Sequence, residues 1–397
     1  MNFIEKINRP LLHSSNEYPL ISIFSGILGL DIGLERAGFK TKLALDLDKH
    51  CKDVVEDNRD KLGDFPYIIG DINHISPKEI LDESGLKPGE VALLSGGPPC
   101  QPFSKSGLRK GLEDKRGRLF ERYLEYLEVI QPKAFILENV RGLYSSRGGK
   151  DFKEILELFE QTGYTIYWKI IDAANYGVPQ FRQRLFLIGF RKRLKFIFPE
   201  ETHTDEEELL NSLLNDKLPF VTVEEAIGDL ADIVDAPPYK GKYAHLLAEI
   251  PEGMNYSYYT AERGHPNPIF EWRSKFWYFL LKIDRKKPSL TIQAQPGNNT
   301  GPFHWKNRKL AIEELKRLQT FPDWLKINKS YTIAHRMIGN AVPPLLSEVL
   351  GKAIIEALRN DEVISELDYL NLRKINDSQA AKVKSGRGSG KGKICID

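Results

Sequence analysis

A rhythm in the first half of the chain constrains the fold most. Short β-rich runs alternate with amphipathic stretches. Residues 20–24 (LISIF) read as a buried strand, followed by a small-residue turn and a helix over about 30–37 that Gly38 stops. A second strand over 42–45 ends at Asp46, and a helix covers about 49–58. Further strands are expected at 67–69, ahead of Asp71, and at 91–95, 134–137, 164–171 and 184–189, with a helix over 119–130. Strands alternating with helices predict an α/β fold built on a doubly wound, mostly parallel sheet. Ligands of such sheets bind at the carboxyl ends of the strands. Phe24, Asp46, Asp71, the 96–100 loop and Glu138 all fall there.

The rhythm breaks near Pro199. Residues 200–285 mix aromatic and turn-forming residues without a βα pattern, so a second, smaller domain is expected there. The pattern returns over about 286–359, and 1–199 with 286–376 are expected to form one domain. Residues 377–393 are small, polar and basic, so 377–397 are expected to form a disordered tail.

No apolar run approaches the roughly 18 residues of a membrane span, and the N-terminus lacks a signal-type apolar core. No membrane partner and a cytoplasmic location are therefore expected. The three cysteines, Cys51, Cys100 and Cys395, form neither a disulfide framework nor a CxxC pair, so no metal site is expected. Lys and Arg number 57 against 55 Asp and Glu, a net charge of +2. A nucleic-acid partner must then be argued from local basic clusters.

Phe24-Ser25-Gly26-Ile27-Leu28-Gly29 joins the first strand to the first helix. Glycines there allow a tight turn and close approach to a ligand. Asp46, ending the next strand, is placed for ribose hydroxyls, and Asp71 for an adenine amino group. The GxGxxG spacing that suits a dinucleotide pyrophosphate is missing, which disfavours a nicotinamide oxidoreductase.

The segment Ser95-Gly96-Gly97-Pro98-Pro99-Cys100-Gln101-Pro102-Phe103-Ser104 is the most informative. Two prolines stiffen the loop ahead of the thiol. Stiffness suits a nucleophile that must meet a reacting atom in one geometry. Lys105, Arg109, Arg116 and Arg118 would favour the thiolate. The bland alternative, a structural cysteine, is the reading adopted for Cys51 and Cys395. Glu138 closes an apolar strand at the same edge, where a carboxyl group suits acid chemistry. Arg182 and Arg184 stand at alternating positions entering a strand, so both face one side.

With these residues in view, the sequence resembles the DNA (cytosine-5)-methyltransferase family of the bacterial restriction–modification type. Pro98-Pro99-Cys100-Gln101, Glu138-Asn139-Val140, Gln180-x-Arg182-x-Arg184 and Gly339-Asn340-Ala341-Val342-Pro343-Pro344 occur in the family's order. The resemblance implies a Rossmann-like fold with a target-recognition domain at 200–285. It also implies S-adenosylmethionine as methyl donor and double-stranded DNA as substrate. The target base would be flipped out, with Cys100 adding to carbon 6 of cytosine. Glu138 would hold ring nitrogen 3, and Arg182 and Arg184 would orient these groups. Phe24, Gly26, Gly29, Asp46, Asp71, Ile72, Pro99, Leu119, Asn340 and Ala341 match cofactor positions. Gln101, Ser104 and Arg116 match a catalytic loop that closes over DNA. A monomer is expected, with any cognate restriction endonuclease acting separately.

Two positions depart from the family pattern. Leu28 replaces a glycine, and a side chain there is expected to crowd the methionine moiety. Leu47 stands where a larger residue often flanks adenine. The loop from Lys105 to Arg118 carries six basic residues and three glycines, as a phosphate-binding flap would. Tyr256, Tyr258, Tyr259, Arg263, His265, Trp272, Arg273 and Lys275 suit groove contacts or a folded core equally well. A tRNA cytosine-5 methyltransferase of the same fold is the alternative, as is a catalytically dead binding module.

Overall fold

The computed structural model describes residues 1–11, 18–99, 117–211, 216–232, 235–273 and 276–374. Cys100, Gln101, Ser104, Arg116, Lys275 and the basic tail lie outside the described residues.

Seven strands form the central sheet: β1 (Tyr18–Ile23), β2 (Phe39–Asp46), β3 (Tyr67–Ile69), β4 (Leu93–Gly96), β5 (Ala134–Val140), β6 (Thr165–Asp172) and β7 (Gln183–Phe190). Their order is β3-β2-β1-β4-β5-β7-β6. Only β7 runs antiparallel to its neighbours, β5 and β6. The sheet is thus doubly wound and mostly parallel, as the alternation predicts. The order reverses between β1 and β4, and a doubly wound sheet opens its ligand crevice at that switch.

Side chains alternate across the sheet with period two. Leu94, Phe135 and Leu137 pack on one face with Tyr123 and Phe159, from helices Gly117–Ile130 and Lys150–Gln161. Leu93, Ala134 and Ile136 pack on the other with Leu34, Leu346 and Leu350. Helix Lys150–Gln161 and helix Pro77–Ser84 fall outside the expected set. The second carries a start signal, since the Ser76 hydroxyl accepts from Glu79 N and Pro77 opens the helix.

Helices Gly29–Ala37 and Pro344–Asn360 pack against each other across Gly33 and Gly351. A Cβ on Gly33 would sit 2.1 Å from the Pro344 carbonyl oxygen, so only glycine permits this approach. The contact brings residues 344–360 back onto the first βα unit.

A separate apolar cluster joins Tyr239, Leu246, Leu247, Ile250, Tyr256, Tyr259, Leu280 and Phe303. Its last member lies beyond residue 285. Val223, Ala226 and Ile227 instead pack against Leu315, Leu318 and Ile338 of the larger body. Among the described residues no helix is long and apolar enough to cross a membrane.

Candidate active site

The turn after β1 is pinned from three sides. The Ser25 hydroxyl donates to the carbonyl of Leu45 at 3.1 Å. Gly26 N donates to Asp46 Oδ2 at 2.8 Å, and the Tyr67 hydroxyl donates to the Gly26 carbonyl at 2.7 Å. Gly26 has φ +54°, a conformation glycine adopts freely. Leu28 adopts φ +62° without being glycine. Its side chain is 1% exposed, packs among Ile27, Ile32 and Phe321, and does not line the neighbouring cavity. The expected crowding therefore does not arise: the left-handed backbone turns the side chain into the core.

That cavity, of about 310 Å³, lies over the carboxyl ends of β1 to β4. All ten residues matched to cofactor positions line it: Phe24, Gly26, Gly29, Asp46, Asp71, Ile72, Pro99, Leu119, Asn340 and Ala341. Leu47 lines it too. Among the described residues, its charged lining consists of Asp31, Asp46, Asp48 and Asp71 against Arg336. Arg336 is already paired with Asp48 at 2.6 Å. Such a lining repels phosphates and suits a ligand carrying positive charge, as a sulfonium and an ammonium do. Burial raises the pKa of Asp46, opposed by backbone amides of Asp48 and Gly26. Asp31 is raised further, to about 7, chiefly by burial. Cys51 borders the cavity, but burial pushes its thiol up, which keeps it un-ionised.

The reacting edge lies beside Pro99. Arg184 and Glu138 form an ion pair, with Nε 2.9 Å from Oε1 and both side chains mostly covered. A Cβ on Gly97 would approach Glu138 Oε2 to 3.3 Å, so the glycine lets the loop lie against that carboxylate. Asn139 Nδ2 donates to the Pro98 carbonyl at 3.1 Å. These contacts anchor the segment that leads into Cys100. Arg182, 1% exposed, turns elsewhere: its Nη2 donates to the carbonyls of Gly339 (2.8 Å) and Ala341 (2.9 Å). Burial, and then the Arg184 charge, hold its pKa well below the usual range.

The family model described as C-5 cytosine-specific DNA methylase matches residues 18–356. The chain belongs to that family. It is similar to the Type II methyltransferase M.SacI of Streptomyces achromogenes, with 37% identity over 87% of this chain and 94% of that protein. It is similar to M.NgoFVII of Neisseria gonorrhoeae, with 33% identity over 86% and 87% respectively. Its fold matches a Spodoptera frugiperda DNMT2 mutant with a TM-score of 0.59 at 16% identity, covering 85% of this chain and 99% of that one. Family membership implies S-adenosylmethionine as the methyl donor.

Several contacts of this methyltransferase escape sequence reasoning. Gln180 Nε2 donates to Gln319 Oε1 at 2.6 Å, and Gln180 Oε1 accepts from Ile292 N at 3.0 Å. Gln319 in turn donates to the Ala341 carbonyl. Gln180, Arg182 and Gln319 thus converge on the segment that brings Asn340 to the cavity. Tyr278 sits near Arg184 and Arg182, and burial raises its phenol pKa. In the separate aromatic core, Tyr256 and Tyr259 are buried, so their rings support the fold rather than face a groove. Trp272, Arg273, Phe276 and Trp277 are exposed beside them.

Proposed function

We propose that this enzyme methylates carbon 5 of a specific cytosine in double-stranded DNA, through a covalent adduct of Cys100 at carbon 6. The supporting observation is the Glu138–Arg184 pair lying against Gly97, with Asn139 holding Pro98 and Pro99 lining the cofactor cavity. The next residue in the chain is the thiol.

Phe24, Asp46, Asp71, Ile72, Leu119 and Asn340 would hold S-adenosylmethionine, and the acidic lining fits its positive charge. When bound, this cofactor supplies the methyl group that carbon 5 takes up. Cytosine carbon 5 is a weak nucleophile. The Cys100 thiolate adds to carbon 6, breaks aromaticity and makes carbon 5 enamine-like. Glu138 stabilises the adduct by a hydrogen bond or proton at ring nitrogen 3. Arg184 fixes the orientation of that carboxyl group, and Arg182 positions the neighbouring backbone. After methylation the carbon 5 proton leaves to base, and elimination of Cys100 restores the ring. A stacked base cannot reach such a site, so the cytosine is flipped out of the duplex. The aromatic core from Tyr239 to Phe303, with exposed Trp272, Arg273 and Trp277, serves as the target-recognition domain. Gln101, Ser104 and Arg116 are assigned to DNA contact by the family resemblance alone.

Similarity to Type II methyltransferases supports a role in protecting host DNA beside a separate restriction endonuclease. Bisulfite sequencing of DNA from a host expressing the chain tests the reading. Protected cytosines should share one sequence context, and the Cys100→Ser protein should leave none. Unmodified DNA with the wild-type enzyme, alongside methylated tRNA, would refute it.

A further inference from the structure

Asp31 stands apart from every other acidic residue of the cofactor cavity. Asp46 accepts from Gly26 and Asp48 amides, Asp48 binds Arg336, and Asp71 accepts from Asn73. Asp31 is 2% exposed and lines the cavity, yet neither carboxylate oxygen has a hydrogen-bond partner among the described residues. An ionised carboxylate buried without a partner is costly, and such groups are normally compensated. The nearby groups compensate it only in part: the Ser22 side chain, on β1, and the Asp31 amide favour its charge without reaching full hydrogen-bond geometry. Glu35, one turn on along the same helix, opposes it. Tyr67, across on β3, is already committed to the Gly26 carbonyl.

We propose that Asp31 receives the α-ammonium group of the cofactor's methionine moiety. Asp46 and Asp71 mark the adenosine end of the cavity, at the ends of β2 and β3. Asp31 lies in the first turn of helix Gly29–Ala37, behind the Phe24–Gly29 turn. That first turn offers amides without intrahelical partners, which suit the α-carboxylate beside the ammonium. The two features together recognise a zwitterionic tail. A cation against Asp31 supplies the missing partner and restores the ionised form that burial disfavours.

The inference rests on S-adenosylmethionine being the cofactor, and calorimetry separates the two. The ligands are S-adenosylhomocysteine, its decarboxylated analogue, which keeps the amine, its deaminated analogue, and 5′-methylthioadenosine, which lacks both groups. Wild-type protein that fails to bind S-adenosylhomocysteine would refute the cofactor assignment itself. With binding established, Asp31→Asn should weaken the two amine-bearing ligands at least tenfold. It should change the other two less than twofold. Asp31→Ser, smaller and equally neutral, should give the same split if Asp31→Asn proves unstable. Equal weakening of all four ligands would assign Asp31 a structural role, and undiminished binding would assign it none; either result overturns the proposal.

Discussion

The side-chain amide of Asn139 donates to the carbonyl of Pro98, 41 residues earlier in the chain, at 3.1 Å. Two residues after Pro98 comes Cys100, the proposed nucleophile, and one residue before Asn139 comes Glu138. The bond therefore couples the two halves of the reacting centre. Asn139→Ala should lower kcat about 10- to 100-fold through misplacement of the thiol. The variant also loses the bond that Val140 N donates to Asn139 Oδ1, and these two bonds together cost only about 1–3 kcal/mol of stability. Single-turnover methylation beside denaturant unfolding checks the split; a large stability loss with unchanged kcat would contradict it.

The two arginines of the Gln180-x-Arg182-x-Arg184 run should separate in the same pair of assays. Arg182→Leu leaves the Gly339 and Ala341 carbonyls without their buried donor. It should cost about 2–4 kcal/mol of stability and weaken cofactor binding through Asn340. Arg184→Ala removes the partner of Glu138. It should leave cofactor affinity near wild type while cutting turnover about 100-fold or more. Equivalent behaviour of the two variants would be inconsistent with the geometry.

Leu28→Gly relieves a left-handed backbone, which favours glycine by about 1–2 kcal/mol, but empties a buried leucine site, which costs about 3–5 kcal/mol. A net loss of about 2–3 kcal/mol is expected, with cofactor affinity changed less than threefold because the side chain faces the core. Substantially tighter cofactor binding in this variant would show that Leu28 crowds the ligand after all.

The pH dependence of the free enzyme follows from Asp31. Its carboxyl pKa is raised from 3.8 to about 7 in the folded protein. Between those values the folded state holds a proton that the unfolded state has released. This group therefore favours folding at low pH, and that contribution is lost as pH rises towards 7. The slope is at most about 1.4 kcal/mol per pH unit. Asp46, also raised by burial, acts in the same direction. The difference between wild type and Asp31→Asn isolates the Asp31 part: the gap in unfolding free energy should change from pH 4 to 7 and then level off. A pH-independent gap would rule out the buried acid.

Much of this site was legible because its parts sit at strand ends. Phe24, Asp46, Asp71 and Glu138 follow apolar runs whose length and composition mark them as buried strands, and the parallel sheet gathers those ends on one edge. Asp31 was not legible, since an acid in a first helical turn reads as a dipole complement. Gln319 was missed because its partner, Gln180, is 139 residues away and only the fold joins them. Arg182 and Arg184 look equivalent in the sequence, yet one reaches carbonyls and the other a carboxylate. The aromatic stretch at 239–303 has no periodic signal, because ring packing among Tyr243, Tyr256, Phe270 and Phe279, rather than a regular element, builds its core.

The central claim is that Cys100 forms a covalent bond to carbon 6 of cytosine in DNA. A duplex made with 5-fluorocytosine at every cytosine tests it without knowledge of the target sequence, because fluorine at carbon 5 blocks the final elimination. After incubation with this DNA and S-adenosylmethionine, peptide mass spectrometry should find a methylated fluorocytosine attached to Cys100 and to no other residue. An active enzyme that yields no adduct, or one attached at Cys51 or Cys395, would contradict the account.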